Sequence, residues 1–256
     1  MSREFPALDA ELRVWRDEGL RLPVWWRDDD AVEPTPALER LMALSAGHGA
    51  PLHLAVIPKP ATQRLADALQ SAPLSRVLPH GWQHRNHAPA DQKKAEFGAH
   101  RPLTDMLDEI AAGWQRIRNM FGERAVPLFT PPWNRISAEV VASLPGVGLR
   151  AVSTFGPRKG QFSAAGVLQV NTHVDPIAWH EGGGLVDTTR LDAQMASDLL
   201  QRRSGQSDNS EPYGLLTHHL VQDEATWAFT ARVLELFSAS DAAAWVSPIE
   251  LPARIG

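Results

Sequence analysis

The stretch WWRDDD, residues 25–30, decides how this sequence is interpreted, because three adjacent carboxylates end an apolar segment. Residues 22–27 have the composition of a short buried strand that contains Pro23. Adjacent carboxylates repel one another, and each costs free energy to dehydrate. Two explanations fit. Either the acids lie at the N-terminus of a helix, whose dipole favours negative charge, or a divalent cation neutralises them.

Length and composition allow one barrel-sized domain or two small ones. The chain has 256 residues, 43% of them hydrophobic, and a formal net charge of −5. We find no long linker, which favours a single domain over residues 1–256. Cysteine is absent, which excludes disulfides and thiolate chemistry. The mild acidity, with both charge signs interspersed, argues against a nucleic-acid surface.

The sequence predicts neither an export signal nor a membrane span. Residues 1–15 contain no basic segment followed by an apolar run, so no export signal is predicted. No apolar run reaches the length of a membrane span. We therefore expect a cytoplasmic protein without a membrane span, and the sequence predicts no particular oligomeric state.

Short apolar segments alternate with helical patterns along the chain, which predicts βα units and a parallel sheet. About seven such units are present, the range in which a parallel sheet closes into a barrel. In the first helix after the acids, Thr35 is suited to the cap, Pro36 to the first turn, and Gly47 or Gly49 to the end. A long helix is predicted over 103–122. The predicted strands are 22–27, 51–58, 75–79, 125–130, 149–154, 167–175, 213–219 and 242–251.

Polar side chains follow the predicted strands at the point where each strand stops. In βα folds the carboxyl ends of the strands meet on one face, and active sites are built there. Carboxylates, imidazoles and aromatic rings should therefore collect into one patch, which is the composition of a metal site within a pocket. The residues concerned are Asp28, Asp29, Asp30, His80, His84, His87, residues 131–135, Asp175, His218 and His219.

Each motif in this patch is compatible with a functional role. His80 and His84 lie four residues apart, so in a helical turn they share a face and can ligate one ion. His87, about one turn further, could replace His84. His218 ends a buried strand, where an imidazole suits acid–base work. Trp133 follows two prolines that stiffen the turn, and it could form the wall of a carbohydrate pocket. The alternative for every one of these side chains is a purely structural role.

These residues, in this order, resemble the motifs of the polysaccharide deacetylase family (NodB-homology, carbohydrate esterase family 4). The family's Thr-Phe-Asp-Asp-Gly motif corresponds to WRDDD at 26–30, and its His-Ser/Thr-x-x-His motif to HGWQH at 80–84. Its Arg-x-Pro-Tyr/Pro motif corresponds in part to TPPW at 130–133, and its Leu-x-His motif to LTH at 216–218. The resemblance covers about residues 20–250, the expected core of the domain. It implies an α/β fold, a distorted (β/α)7-type barrel of parallel strands with outer helices.

The resemblance implies a metal-dependent hydrolase that removes an acyl group, in the simplest case acetyl, from an N-acylated sugar. It makes Asp29, His80 and His84 the metal ligands, Asp28 the general base and His218 the general acid. The metal in this family is usually Zn²⁺. One carboxylate and two imidazoles leave open positions on such an ion, which can polarise an amide carbonyl and lower the pKa of bound water.

The substrate site is expected to contain Pro132, Trp133, Arg135 and Asp175. By resemblance, the two-proline turn and Trp133 line the pocket. Because the chain carries no recognisable export signal, a small or carrier-linked carbohydrate fits better than a cell-wall polymer.

The sequence departs from the family pattern at two positions that matter for the site. Asp30 replaces the glycine after the aspartate pair, so a shifted register, with Asp29 as the base and Asp30 as the ligand, stays open. Thr130 replaces the arginine that steadies the base, and Arg27 or Arg135 could take its place. Two alternative functions remain: a non-catalytic member that binds carbohydrate or metal, and a hydrolase of a non-sugar C–N bond.

Overall fold

Strands and helices alternate along residues 5–249, the part of the chain that the computed structural model describes. The strands are β1 (Leu22–Ala31), β2 (Leu52–Val56), β3 (Ser75–Pro79), β4 (Leu128–Phe129), β5 (Ala151–Val152), β6 (Phe162–Ala164), β7 (Val167–Gln169), β8 (Tyr213–Thr217) and β9 (Ala243–Trp245). The helices are α1 (Pro6–Asp17), α2 (Pro36–His48), α3 (Gln63–Ala68), α4 (Leu103–Phe121), α5 (Ala138–Ser143), α6 (Thr188–Arg203) and α7 (Glu224–Ala239). The first residues of the predicted domain and the end of the predicted strand 242–251 lie outside the described residues.

Seven parallel strands follow one another around a distorted barrel, which confirms the expected α/β fold. β3, β2, β1 and β8 form one sheet, with β9 pairing with the start of β1, and β4, β5, β7 and β6 form a second sheet. Between the sheets the ladder is interrupted, and isolated parallel bridges replace it. These bridges join Val77 with Ala125, His80 with Thr130, and Val174 with Leu215. The short strand β6 is antiparallel to β7.

Alternation along β1 divides its side chains between two apolar layers. Trp25 belongs to the small cluster inside the barrel, and Trp26 to the larger cluster between the barrel and the helices. Successive side chains of a strand point to opposite faces. Arg27 and Asp29 therefore continue the inner face of Trp25, and Asp28 continues the outer face of Trp26.

The helix signals in the sequence are confirmed. The Thr35 side chain accepts a hydrogen bond from the amide of Leu38 at 3.1 Å, and α2 ends at Gly49, whose φ of +62° is left-handed. The predicted helix 103–122 corresponds to α4. Within residues 5–249, no helix combines the length and the apolar composition needed to cross a bilayer.

The strands of the second half are shorter than predicted. The segments 125–130, 149–154 and 167–175 contain only β4, β5 and β7 as regular strands. Beyond these strands, polar side chains form some of the hydrogen bonds to the backbone. Asn171 Oδ1, for example, accepts from the amide of Thr154 at 2.9 Å. Beyond the regular strands the pairing continues only as single backbone hydrogen bonds and isolated bridges, such as the one between Phe155 and Thr172.

His53 is a buried histidine inside the barrel, and its titration should be visible in the stability of the protein. Its Nδ1 lies 3.1 Å from the carbonyl oxygen of Trp26, and its ring packs edge-on against Trp25. Burial, the largest effect, lowers the pKa of His53 from 6.5 to about 4, although the hydrogen bond to Trp26 opposes the shift. Between these values the unfolded chain binds a proton that the folded protein does not. The free energy of unfolding should therefore fall as the pH decreases from 6.5 to about 4.

The His53→Gln variant should remove this component, because glutamine can still donate to the Trp26 carbonyl but does not titrate. Chemical denaturation of both proteins at several pH values between about 7.5 and 4 measures it. We expect the wild type to lose about 3 kcal/mol more than the variant over this range. Parallel stability curves for the two proteins would contradict the assignment.

Candidate metal centre

Three polar side chains meet at the carboxyl end of the barrel. Asp30 lies at the tip of β1, and His80 and His84 follow β3. Asp30 Oδ1 lies 3.2 Å from His80 Nε2 and 3.4 Å from His84 Nε2, and the three ligand atoms lie within 4.8 Å of one another. Within residues 5–249 this is the one group of three such side chains, and His87, the alternative to His84, is not part of it.

The donor atoms fit a zinc-type cation. His80 Nδ1 lies 3.0 Å from the carbonyl oxygen of Thr130, so a proton on Nδ1 leaves the Nε2 lone pair free for a metal. Asp30 Oδ1 is buried without a hydrogen-bond donor, which costs free energy unless a cation meets it. Two imidazoles and one carboxylate form the ligand set of a catalytic zinc site with open positions.

The protonation states follow from burial and from the neighbouring charges. Burial alone would raise the pKa of Asp30, but the contact with His80 and the charges of His80, His84 and His218 hold it well below its usual range. Burial, followed by the charge of His80, lowers the pKa of His84. Burial opposes protonation of His80 too, but Asp29 and Asp30 outweigh it and raise that pKa. A proton and a cation therefore compete for the His80 ring.

The carboxylate that joins the histidines is Asp30, whereas the expected ligand was Asp29. A bulge in β1 accounts for the difference. Asp29 pairs with Ala55 and Ala31 with Val56, so Asp30 has no partner residue on β2. Its φ of +76° turns the backbone out of the strand at this point and directs the side chain towards the histidines.

Asp29 instead forms a buried ion pair with Arg27, which lies two residues earlier on the same face of β1. The two contacts are Nε to Oδ1 at 2.8 Å and Nη2 to Oδ2 at 3.0 Å. Arg27 is fully buried and also donates to Ser153 Oγ at 2.7 Å and to Asn134 Oδ1 at 3.0 Å. Of the two arginines considered as partners for the base, Arg27 is the one that reaches the acidic cluster.

Asp28 does not lie beside the metal-ligand group, as the expected general base would. Its Oδ2 accepts from Thr217 Oγ1 at 2.6 Å and from the amide of His219 at 3.0 Å. Its Oδ1 lies 2.5 Å from His219 Nδ1. The alternation of β1 sets Asp28 on the helix side of the strand, opposite to Asp29.

The two histidines lie on a bent loop after β3, and this bend, not a helical turn, brings them together. Gly81 has a φ of +61° and His84 a φ of +55°. The buried carboxylate of Glu96 shapes this loop by accepting from the amides of Trp82 at 3.2 Å and Gln83 at 2.9 Å. A methyl group on Gly81 would clash with Glu96, so this close approach requires glycine.

Of the residues expected to bind the substrate, Trp133 lies next to the group of Asp30, His80 and His84. The Trp133 ring lies 4.3 Å from the ring of His84, centroid to centroid. Pro132 is buried beneath this turn. Arg135 Nη1 donates to the carbonyl of Lys94 at 2.9 Å, so its guanidinium is engaged by the backbone.

Asp175 lies beside His218, where its charge and the imidazole interact. Its Oδ1 accepts from the amide of Ile177 at 3.0 Å, and its Oδ2 accepts from Trp179 Nε1 at 2.8 Å. Burial raises the pKa of Asp175, although a charge on His218 acts in the opposite direction. The Trp179 ring packs edge-on against His218 at 4.9 Å, and His218 Nδ1 is buried without a partner.

Backbone strain concentrates at this site. Within residues 5–249, four residues other than glycine have positive φ: Asp30, His84, Trp133 and Asn134. Asp30 and His84 belong to the group of three, Trp133 packs against His84, and Asn134 accepts from Arg27, the partner of Asp29. Such conformations cost free energy and persist where the surroundings enforce them, which is typical of functional sites.

The sequence matches no protein-family model, and no similar curated protein was found. Solved structures do match. A protein from Mycobacterium smegmatis assigned as a polysaccharide deacetylase has a TM-score of 0.64 at 13% identity, covering 90% of this chain and 87% of that chain. A family 4 carbohydrate esterase from Streptomyces lividans, in complex with acetate, has a TM-score of 0.54 at 16% identity, covering 91% and 96%. A family 4 acetyl xylan esterase from Clostridium thermocellum, in complex with cobalt, has a TM-score of 0.51 at 16% identity, covering 89% of both.

The chain has the fold of the family 4 carbohydrate esterases. The resemblance inferred from the motifs is thereby confirmed for the fold. The match spans nearly the whole of this chain and of the matched structures.

Within this family 4 esterase fold, His219 and Asn134 belong to the patch expected from the sequence, although no separate role was given to them there. Thr217, which directly precedes His218, was not singled out, although its position beside that histidine was a usable signal. Glu96 lies on a loop without periodicity or turn signature, and nothing in the sequence marked it.

Proposed function

We propose that this protein is a metal-dependent hydrolase that removes an acyl group, in the simplest case acetyl, from the nitrogen of an N-acylated sugar. The observation that carries the proposal is the group of Asp30, His80 and His84, next to the arginine-held carboxylate of Asp29. The likeness to family 4 carbohydrate esterases, one of them in complex with acetate, supports the same reaction class.

The divalent cation would be held by Asp30, His80 and His84. Two imidazoles with one carboxylate favour Zn²⁺ among divalent ions. When bound, the ion would polarise the acyl carbonyl and make a bound water molecule more acidic.

Two further side chains would move protons. Asp29 is the general base, and the two contacts with Arg27 fix the orientation of its carboxylate. His218 is the general acid that protonates the departing nitrogen, because an amine is a poor leaving group without that proton. This assignment shifts the register by one residue from the sequence motif, with Asp29 in place of Asp28 and Asp30 in place of Asp29.

Two tryptophans support a sugar as the substrate. Trp133 packs against His84 and Trp179 against His218, so indole rings border both the ligand group and the acid. The Trp179 side chain is half exposed. An indole offers a flat apolar surface with a polar edge, which suits the face of a sugar ring. That the substrate is a small or carrier-linked carbohydrate, and that the protein acts in the cytoplasm, stay predictions from the sequence.

A non-catalytic binding protein was favoured by Thr130, which stands where the family has arginine. That support is weakened because Arg27 already pairs with Asp29. A hydrolase of a non-sugar C–N bond would use the same groups, so the choice of substrate in the assay must separate the two.

The test is acetate release by the purified protein with one equivalent of Zn²⁺. Substrates are N-acetylglucosamine, its short oligomers and a simple N-acetylated alkylamine. We expect release from a sugar, loss of activity with a chelator, and recovery on adding Zn²⁺ back. Release from the alkylamine alone would support the non-sugar hydrolase, and zinc binding without any release would support the binding protein. Failure to bind zinc would contradict both metal-dependent hydrolases.

A further inference from the structure

The aspartate that faces away from the metal-ligand group, Asp28, is completely buried and fully engaged. It accepts from Thr217 Oγ1 and from the amide of His219, and its other oxygen meets His219 Nδ1. A buried carboxylate is retained only where donors compensate its dehydration. Here all of those donors come from the end of β8 and the turn that follows it.

The two residues that Asp28 binds lie on either side of His218. Thr217 is the last residue of β8, and His219 directly follows His218. The carbonyl of His218 accepts from the amide of Val221, which closes the turn. One carboxylate therefore fixes the chain immediately before and immediately after the imidazole to which the proposed reaction gives the role of acid.

The indole of Trp26 determines the direction of the hydrogen bond between Thr217 and Asp28. Trp26 Nε1 donates to Thr217 Oγ1 at 2.9 Å, so the hydroxyl accepts from the indole and its own proton points to Asp28. Trp26 and Asp28 share the outer face of β1, and Thr217 is the residue paired with Asp28 across the ladder. The indole, the carboxylate and the hydroxyl of this network thus belong to the paired strands β1 and β8, and only His219 lies in the turn beyond β8.

We propose that Asp28 and His219 form a positioning pair that holds the turn of His218, so that this imidazole meets the leaving nitrogen. The proposal rests on the proposed function, in which His218 is the general acid. Neither Asp28 nor His219 touches the substrate. Their effect is geometric, because a displacement of about 1 Å in a catalytic group can cost about 100-fold in rate.

The leaving group separates this role from a general loss of structure. An N-acetyl sugar needs a proton on its departing nitrogen, whereas 4-nitrophenolate leaves from 4-nitrophenyl acetate without one. In Asp28→Asn we expect kcat for the amide to fall by about 100-fold, with KM and zinc affinity unchanged. Hydrolysis of 4-nitrophenyl acetate should change little.

A matched control is Asp192→Asn. Asp192 is another buried carboxylate, which accepts from the amides of Ala7 and Leu8 at the start of α1. It should show no contrast between the two substrates. If Asp28→Asn fails to fold, His219→Gln tests the same pair, since it removes the imidazole contact but keeps the backbone donor.

Equal losses on both substrates in Asp28→Asn, or no loss on the amide, would overturn the proposal. Crystal structures of the wild type and the variant provide a readout that does not depend on activity. A displaced His218 ring in the variant supports the proposal, and an unmoved ring overturns it. If the wild type hydrolyses neither substrate, the proposed function fails, and the crystal structures still decide whether Asp28 positions residue 218.

Discussion

The Asp30→Asn variant is expected to lose zinc binding and, with it, acyl release. Asparagine keeps the size of the side chain and tolerates the φ of +76° at this position, so the bulge in β1 should persist. What changes is the charge, since a neutral amide replaces one of the three ligands. We expect zinc affinity to fall by more than the ~10–100-fold that loss of an outer-shell partner causes.

The measurement is a competition titration against a chromophoric chelator, run on Asp30→Asn and Asp29→Asn in parallel. Asp29 is held by Arg27 and is not a ligand in this assignment, so its variant should retain zinc. The reverse outcome, in which Asp29→Asn loses zinc and Asp30→Asn retains it, would make Asp29 the ligand. These two isosteric changes at neighbouring positions therefore decide whether Asp29 or Asp30 is the metal ligand.

The general location of this site could be predicted from the sequence. Apolar strands alternating with helices imply a parallel barrel, and the carboxyl ends of such strands converge. That argument alone brings residues 28–30 close to His80 and His84, because β1 and β3 are separated only by β2. This prediction requires only the alternation of strands and helices along the sequence, and no detail of any loop.

The identity of the ligand among the three acids could not be predicted, because it depends on a bulge of a single residue. Strict alternation would set Asp28 and Asp30 on the same face of β1. The interrupted pairing between Asp29 and Ala31 breaks that alternation, and a bulge has no signature in a run of identical residues. The ion pair of Arg27 with Asp29, by contrast, follows from alternation, since residues two apart in a strand share a face.

Asp29→Asn is expected to reduce kcat/KM by about 10²–10⁴-fold, the usual contribution of a general base, while zinc stays bound. The change also has a cost in stability. Arg27 is fully buried, and removing the charge of Asp29 takes away the carboxylate that pairs with this buried cation. Breaking such a pair costs up to about 3–5 kcal/mol, so a loss of activity in this variant could be attributed to partial unfolding.

The double variant Arg27→Gln/Asp29→Asn separates the two effects. The double variant leaves no unpaired buried charge, and such a charge is what makes a broken buried ion pair strongly destabilising. It should therefore unfold at a denaturant concentration nearer to that of the wild type than Asp29→Asn does. Its acyl release should stay as low as in Asp29→Asn, because neither neutral side chain can take a proton from water at neutral pH. Recovery of activity together with stability would show that Asp29 serves only the fold, since a base cannot be restored by removing the arginine that holds it.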